Sequence, residues 1–137
     1  MSFLVDTDVL SEPTKHHPEA KVEAWLETHQ AVLYTSAITI GELRRGIALL
    51  PVGARRVRLE RWLEKVLVTM SGRILAYNSR VAETWGDMMA GLEKQGRTMP
   101  LADSQIAAIA KRHNLTIATR NTADYALVGL RLVNPFS

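Results

Sequence analysis

Cysteine is absent from all 137 residues, and with it go disulfide bonds, thiolate zinc sites, iron–sulfur clusters and a cysteine nucleophile. Any metal must be held by oxygen or imidazole. Proline and glycine are few, at 5 and 8 residues, and no repeat or low-complexity tract occurs, so the chain reads as one ordinary folded domain with a sizeable core. No apolar run approaches the roughly 20 residues that cross a bilayer. The opening Met1-Ser2-Phe3-Leu4-Val5-Asp6 has no basic lead, and an acid stands where a signal peptide has its apolar stretch; a cytoplasmic protein without membrane contact is expected. Nucleotide fingerprints are missing too. Gly41 and Gly46 have the spacing of a P-loop, but Ile47-Ala48 stands where Lys-Ser/Thr is needed.

What is present is an alternation of short apolar runs and amphipathic stretches. Phe3-Leu4-Val5 reads as a strand, and Val22, Trp25, Leu26 and His29 mark one face of a helix over 19–29. A second strand is expected over 31–35, and Ile40, Leu43, Ile47 and Leu50 then return to helical spacing until Pro51. The stripe Leu59, Trp62, Leu63, Val66, Leu67 and Met70 predicts a helix stopped by Gly72. A short strand over 74–76 leads to a helix carrying Val81, Trp85, Met88, Met89 and Leu92, and Pro100 opens another. Two last strands are expected over 115–118 and 130–133. This order implies an α/β fold, a short parallel sheet covered by helices on both faces.

In open parallel sheets the working crevice lies outside the carboxyl ends of the strands. Asp6 ends the first strand, Glu42 follows the second, Asp103 lies in the first turn of the helix opened by Pro100, and Asp124 follows the strand over 115–118. Four acids from distant parts of the chain are therefore expected at one rim. Carboxylates brought together raise one another's pKa unless a cation neutralises them. All-oxygen ligation suits Mg²⁺, with Mn²⁺ as the alternative ion, and such an ion supports phosphodiester hydrolysis by activating water. Setting these four aside leaves 17 basic residues against 10 acidic ones, a surround suited to a polyanion. Arg44, Arg45 and Arg120 lie nearest the acids in sequence.

Each acid also has a plainer use. Asp6 can cap a helix, Thr39-Ile40-Gly41-Glu42 matches a capping box, Asp103 suits a helix dipole, and Asp124 suits a loop. The run Arg55 to Arg61 reads as a solvated helix face with Glu60 and Glu64 as neighbours. His16, His17, His29 and His113 lack the spacing of ligands. The argument for a site rests on convergence of the acids.

Leu4-Val5-Asp6-Thr7-Asp8, Glu42, Pro100-Leu101-Ala102-Asp103 and Thr119-Arg120-Asn121-Thr122-Ala123-Asp124-Tyr125, in that order, resemble the PIN-domain ribonucleases. The similarity is strongest to the VapC toxins of type II toxin–antitoxin modules, in particular the FitB-like branch, and spans essentially the whole chain. It implies a single PIN domain over 1–137 and an endoribonuclease in which Asp6 and Asp103 are the principal Mg²⁺ ligands. By the same resemblance Glu42 completes the acidic cluster, Asp124 holds a second ion or a coordinated water, and Thr119 and Asn121 support the site through hydrogen bonds. The family commonly has Asn or Ser where Asp8 stands. It also implies an RNA substrate, with tRNA or another structured RNA in view, a homodimer, and a VapB-type antitoxin. Two other functions compete: a haloacid-dehalogenase-like phosphatase using Asp6 and Asp8, and a non-catalytic module binding RNA or protein.

Overall fold

Phe3-Leu4-Val5 has no polar side chain, which suits a strand buried on both faces, and it becomes the central strand β1 (Phe3–Val5). In the computed structural model, which describes residues 1–137, β1 lies between β2 (Leu33–Ser36) and β4 (Thr116–Ala118). The short strands β3 (Ile74–Leu75) and β5 (Leu132–Val133) lie outside β2 and β4, giving the order β3-β2-β1-β4-β5. Every pairing is parallel. Parallel neighbours need crossover connections, and helices supply them. The helices α1 (Thr7–Ser11) and α2 (Ala20–Thr28) join β1 to β2, while α3 (Ala37–Ala48) and α4 (Ala54–Thr69) join β2 to β3. The connection from β3 to β4 contains α5 (Ser79–Lys94) and α6 (Leu101–Arg112), and α7 (Thr122–Ala126) leads to β5.

The two-residue period of the strands divides the core. Leu4 and Ile117 pack on one face with Val81, Met88 and Leu92 of α5 and Ile106 and Ile109 of α6. Phe3, Val5 and Ala118 point the other way, among Val9, Val22, Leu43, Ile47 and Leu63 from the first four helices. Arg73 closes the second layer: its guanidinium donates to the carbonyls of Gln30 (3.0 Å), Leu33 (2.6 Å) and Thr69 (3.0 Å), joining the ends of α2 and α4 to the start of β2. Buried Glu12 holds the segment after α1, accepting from the Glu19 N–H (3.0 Å) and pairing with Lys15 (2.7 Å).

Element boundaries differ from the sequence expectation at two strand ends. The strand expected over 31–35 begins two residues later, because Gln30–Val32 forms a 3-10 turn closed by the Val32 N–H on the His29 carbonyl (2.9 Å). The last strand is confined to Leu132–Val133, although the Arg131 carbonyl still accepts from the Ile117 N–H of β4 (3.0 Å), and the Arg131 side chain bonds Asn114 on both its carbonyl and its Oδ1 (3.0 Å each). No helix is long and apolar enough to cross a membrane.

Ile109 is fully buried between α6 and the sheet. Ile109→Ala is expected to lower unfolding free energy by about 2–5 kcal/mol, through lost transfer energy and a residual cavity. Val52 is 93% exposed, and Val52→Ala should stay within about 0.5 kcal/mol of the parent. Urea unfolding curves check both values.

Candidate active site

Strand order fixes where a cleft can open. β1 has partners on both sides, and the chain changes direction of growth between β1 and β4, so the crevice lies beyond their carboxyl ends. Asp6 and Thr119 are the first residues after these two strands. The Asp6 N–H donates to the Ala118 carbonyl (3.1 Å), and the Thr119 N–H to that of Val133 (2.9 Å), so both side chains leave a fixed backbone. Asp6 is the N-cap of α1, with Oδ1 accepting from the Val9 N–H (3.1 Å). Its other oxygen, Oδ2, accepts from the Thr119 hydroxyl. The Thr119 hydroxyl in turn accepts from the Asn121 N–H (2.9 Å), which leaves its own proton for Asp6. Asp6 therefore caps a helix and faces the rim at the same time. Asn121 enters this chain through its backbone.

Glu42 does not form the capping box that its spacing suggested. Ser36 caps α3 instead, its Oγ accepting from the Thr39 N–H (3.0 Å), which leaves the Glu42 side chain free to reach across to α1. There Oε1 accepts a 2.6 Å bond from the Thr7 hydroxyl. Asp103 stands in the first turn of α6, held by its neighbour: the Ser104 hydroxyl donates to the Leu101 carbonyl (2.6 Å) and accepts from the Trp85 indole (2.9 Å), locking that turn to α5. Tyr125 of α7 places its hydroxyl 3.4 Å from Asp103 Oδ1. Asp124 precedes it on the same short helix.

The electrostatics follow from burial and proximity. Asp6 is 5% exposed, and burial pushes its pKa up to about 6 despite the bonds from Thr119 and Val9; the charges of Asp8 and Asp103 add to the rise. Burial also raises Asp103, followed by repulsion from Asp124, Glu42 and Asp8. Four predicted acids and Asp8 thus share one field, with Asp103 at its centre. No three of them stand close enough to form a closed cage for an ion. Mg²⁺ does not need one, since it keeps most of its waters and binds through one or two carboxylates. Two desolvated acids that repel one another, supplied only with oxygen, fit such a hydrated divalent ion.

The nearby bases are partly engaged. Arg44 pairs with Glu60 of α4 (3.1 Å), which also meets Arg56 (3.9 Å), in keeping with a solvated helix face. Arg120 is exposed and lays its guanidinium over the Phe136 ring, 3.7 Å from its centre. A cavity of about 330 Å³ lies elsewhere, between α2 and α4 and lined by Leu26, Trp62, Val66 and Met70. Among the acids Glu42 and Asp8 are exposed, Asp103 and Asp124 are half-buried, and Asp6 is almost wholly buried.

Sequence reasoning missed Thr7, Tyr125 and the Trp85–Ser104 pair. Thr7 and Tyr125 each adjoin a nominated acid, at Asp6 and Asp124, and adjacency was the available signal. Trp85 read as one more member of an apolar stripe.

Comparison with known proteins places this arrangement in context. The PIN domain matches residues 3–128. A VapC ribonuclease of Sinorhizobium fredii, Y4jK, is 38% identical over 136 residues, covering 98% of this chain and 97% of its own. Toxin FitB of Neisseria gonorrhoeae is likewise 38% identical, covering 98% of both chains. The crystal structure of FitAcB from that organism superposes with a TM-score of 0.92 at 38% identity, again over 98% of each chain.

The elevated pKa of Asp6 gives a signed prediction for the metal-free protein. Because the folded state binds this proton more tightly (about 6 against an ordinary 3.8), the contribution of Asp6 to stability is full below about pH 4 and is lost as pH rises through 6. The loss is on the order of 2–3 kcal/mol. In EDTA, Asp6→Asn should lack this slope and match or exceed the parent's stability at pH 7.5; parallel pH-dependent unfolding of the two proteins measures it.

Proposed function

The chain belongs to the PIN-domain family, and from that premise we propose that it is the toxin of a type II toxin–antitoxin pair, a divalent-metal-dependent endoribonuclease. The observation that supports this reading is the buried bond from Thr119 to Asp6 at the β1–β4 crevice, with Asp6 in the field of Asp103 and Asp103 in the field of Glu42 and Asp124. Nucleases of this family generally use a divalent metal. Asp6 and Asp103 would hold Mg²⁺ or Mn²⁺, with Glu42 completing the cluster and Asp124 serving a second ion or a coordinated water. When bound, the ion supplies Lewis acidity, activating water for attack on phosphorus and offsetting charge on the leaving oxygen.

The chain's own residues do the rest. Thr119 and Thr7 fix the carboxylates of Asp6 and Glu42, so their lone pairs are already aimed when the substrate arrives. Arg45 and Arg120 offer charge to RNA phosphates, as does Arg44 on leaving Glu60, and such contacts bind without reading sequence. The substrate would be a structured RNA such as tRNA. A cognate VapB-type antitoxin would restrain the activity by presenting a guanidinium to the carboxylates, a pairing that geometry favours. A homodimer and a cytoplasmic setting complete the proposal.

A phosphoaspartate mechanism has little support. Enzymes of that kind usually place Thr or Val two positions after the second Asp, where Leu10 stands in this chain. The non-catalytic alternative would leave this acid set without a purpose.

Purified protein should cleave RNA with Mg²⁺ or Mn²⁺ and stop in EDTA. Asp103→Asn should reduce cleavage by more than about a hundredfold, since even partners outside the ligand set cost about 10–100-fold when lost. Undiminished cleavage by Asp103→Asn, or equal rates in EDTA, would overturn the assignment. RNA binding by that inactive variant should weaken by roughly tenfold between 50 and 200 mM salt, as about two to three phosphate contacts require; filter binding reads the slope.

A further inference from the structure

We infer that Tyr125 is a positioning residue of the acidic site: its phenolic O–H tethers the Asp103 carboxylate in the orientation that receives the divalent ion. This rests on the nuclease reading above and extends it to a residue that carries no metal ligand itself.

Three of the acids share a pattern. Asp6 has Thr119, Glu42 has Thr7, and Asp103 has Tyr125, each a neutral hydroxyl from another element. For Asp103 the tyrosine is the sole hydrogen-bond donor to its side chain. A carboxylate at the start of a helix can rotate about χ1 and χ2, and without a tether mutual repulsion from Asp124, Glu42 and Asp8 would turn it toward solvent. Bonding at Oδ1 leaves Oδ2 for the ion. The distance of 3.4 Å is long for a hydroxyl bond, and such contacts tighten once the site is filled.

The ring makes the tether stiff. Tyr125 is fully buried and packs in the same cluster as Ile106, Ile117 and Val128, so the hydroxyl is placed by the core rather than by a loop. Serving as a donor requires the phenol to stay protonated. An ordinary tyrosine is protonated at neutral pH, so the hydroxyl has its proton to donate.

Tyr125→Phe keeps the ring and deletes the tether. Titration calorimetry of Mn²⁺ and Mg²⁺ into metal-free protein should show affinity about tenfold weaker than the parent's, the lower end of what outer partners contribute. Melting in EDTA should move by less than about 5 °C. RNA cleavage should fall at limiting Mg²⁺ and recover when the ion is raised about tenfold, to match the affinity loss. Ile109→Val trims the same apolar cluster without a polar atom and should keep full metal affinity. Affinity within twofold of the parent in Tyr125→Phe overturns the inference, as does an equal loss in Ile109→Val. If the parent itself takes up neither ion, the nuclease reading fails first and the inference with it, a result distinct from a parent and variant that bind alike.

Discussion

A threonine hydroxyl donating to a buried aspartate, across the gap between two neighbouring strand ends, organises this molecule. Asp6 and Thr119 are far apart in sequence, and only the parallel pairing of β1 with β4 brings them together. Their bond lies where the sheet stops growing to one side and starts growing to the other, the position at which parallel sheets open a crevice. A carboxylate buried there would be prohibitive if its oxygens were left bare. Thr119 and the Val9 amide satisfy both, which lets an acid occupy a position that otherwise favours an apolar side chain.

The remaining acids reach this point by different routes, and each route trades stability for local charge. Asp103 gains a favourable helix dipole and loses solvation; Glu42 stays exposed and spends little. The donors Thr7, Thr119 and Tyr125 partly relieve the repulsion without neutralising it. What stays unrelieved is an affinity for positive charge, be it an ion, or a guanidinium from a partner. The two apolar layers behind β1 supply the stability against which this repulsion is set.

Much of this was legible in the sequence. An acid directly after Phe3-Leu4-Val5, and another three residues past Pro100, could be assigned to strand and helix ends by local rules, and topology then placed them together. The alternation of apolar runs gave the parallel sheet for the same reason. Glu42 was ambiguous because a capping box and a reach toward α1 use the same residue, and only Ser36 taking the cap resolves it. Tyr125, the Trp85–Ser104 bond, the Arg44–Glu60 pair and Arg120 on Phe136 were not legible. Each depends on side chains from separate elements meeting in space, and no periodicity encodes such a meeting. Strand ends slipped by two residues where a turn closed first, as at Gln30–Val32.

The outermost strands, β3 and β5, are two residues long each. A border that short exposes too few backbone groups to recruit a strand from another chain, which guards against edge-wise polymerisation. The sheet is thereby kept to its own five strands.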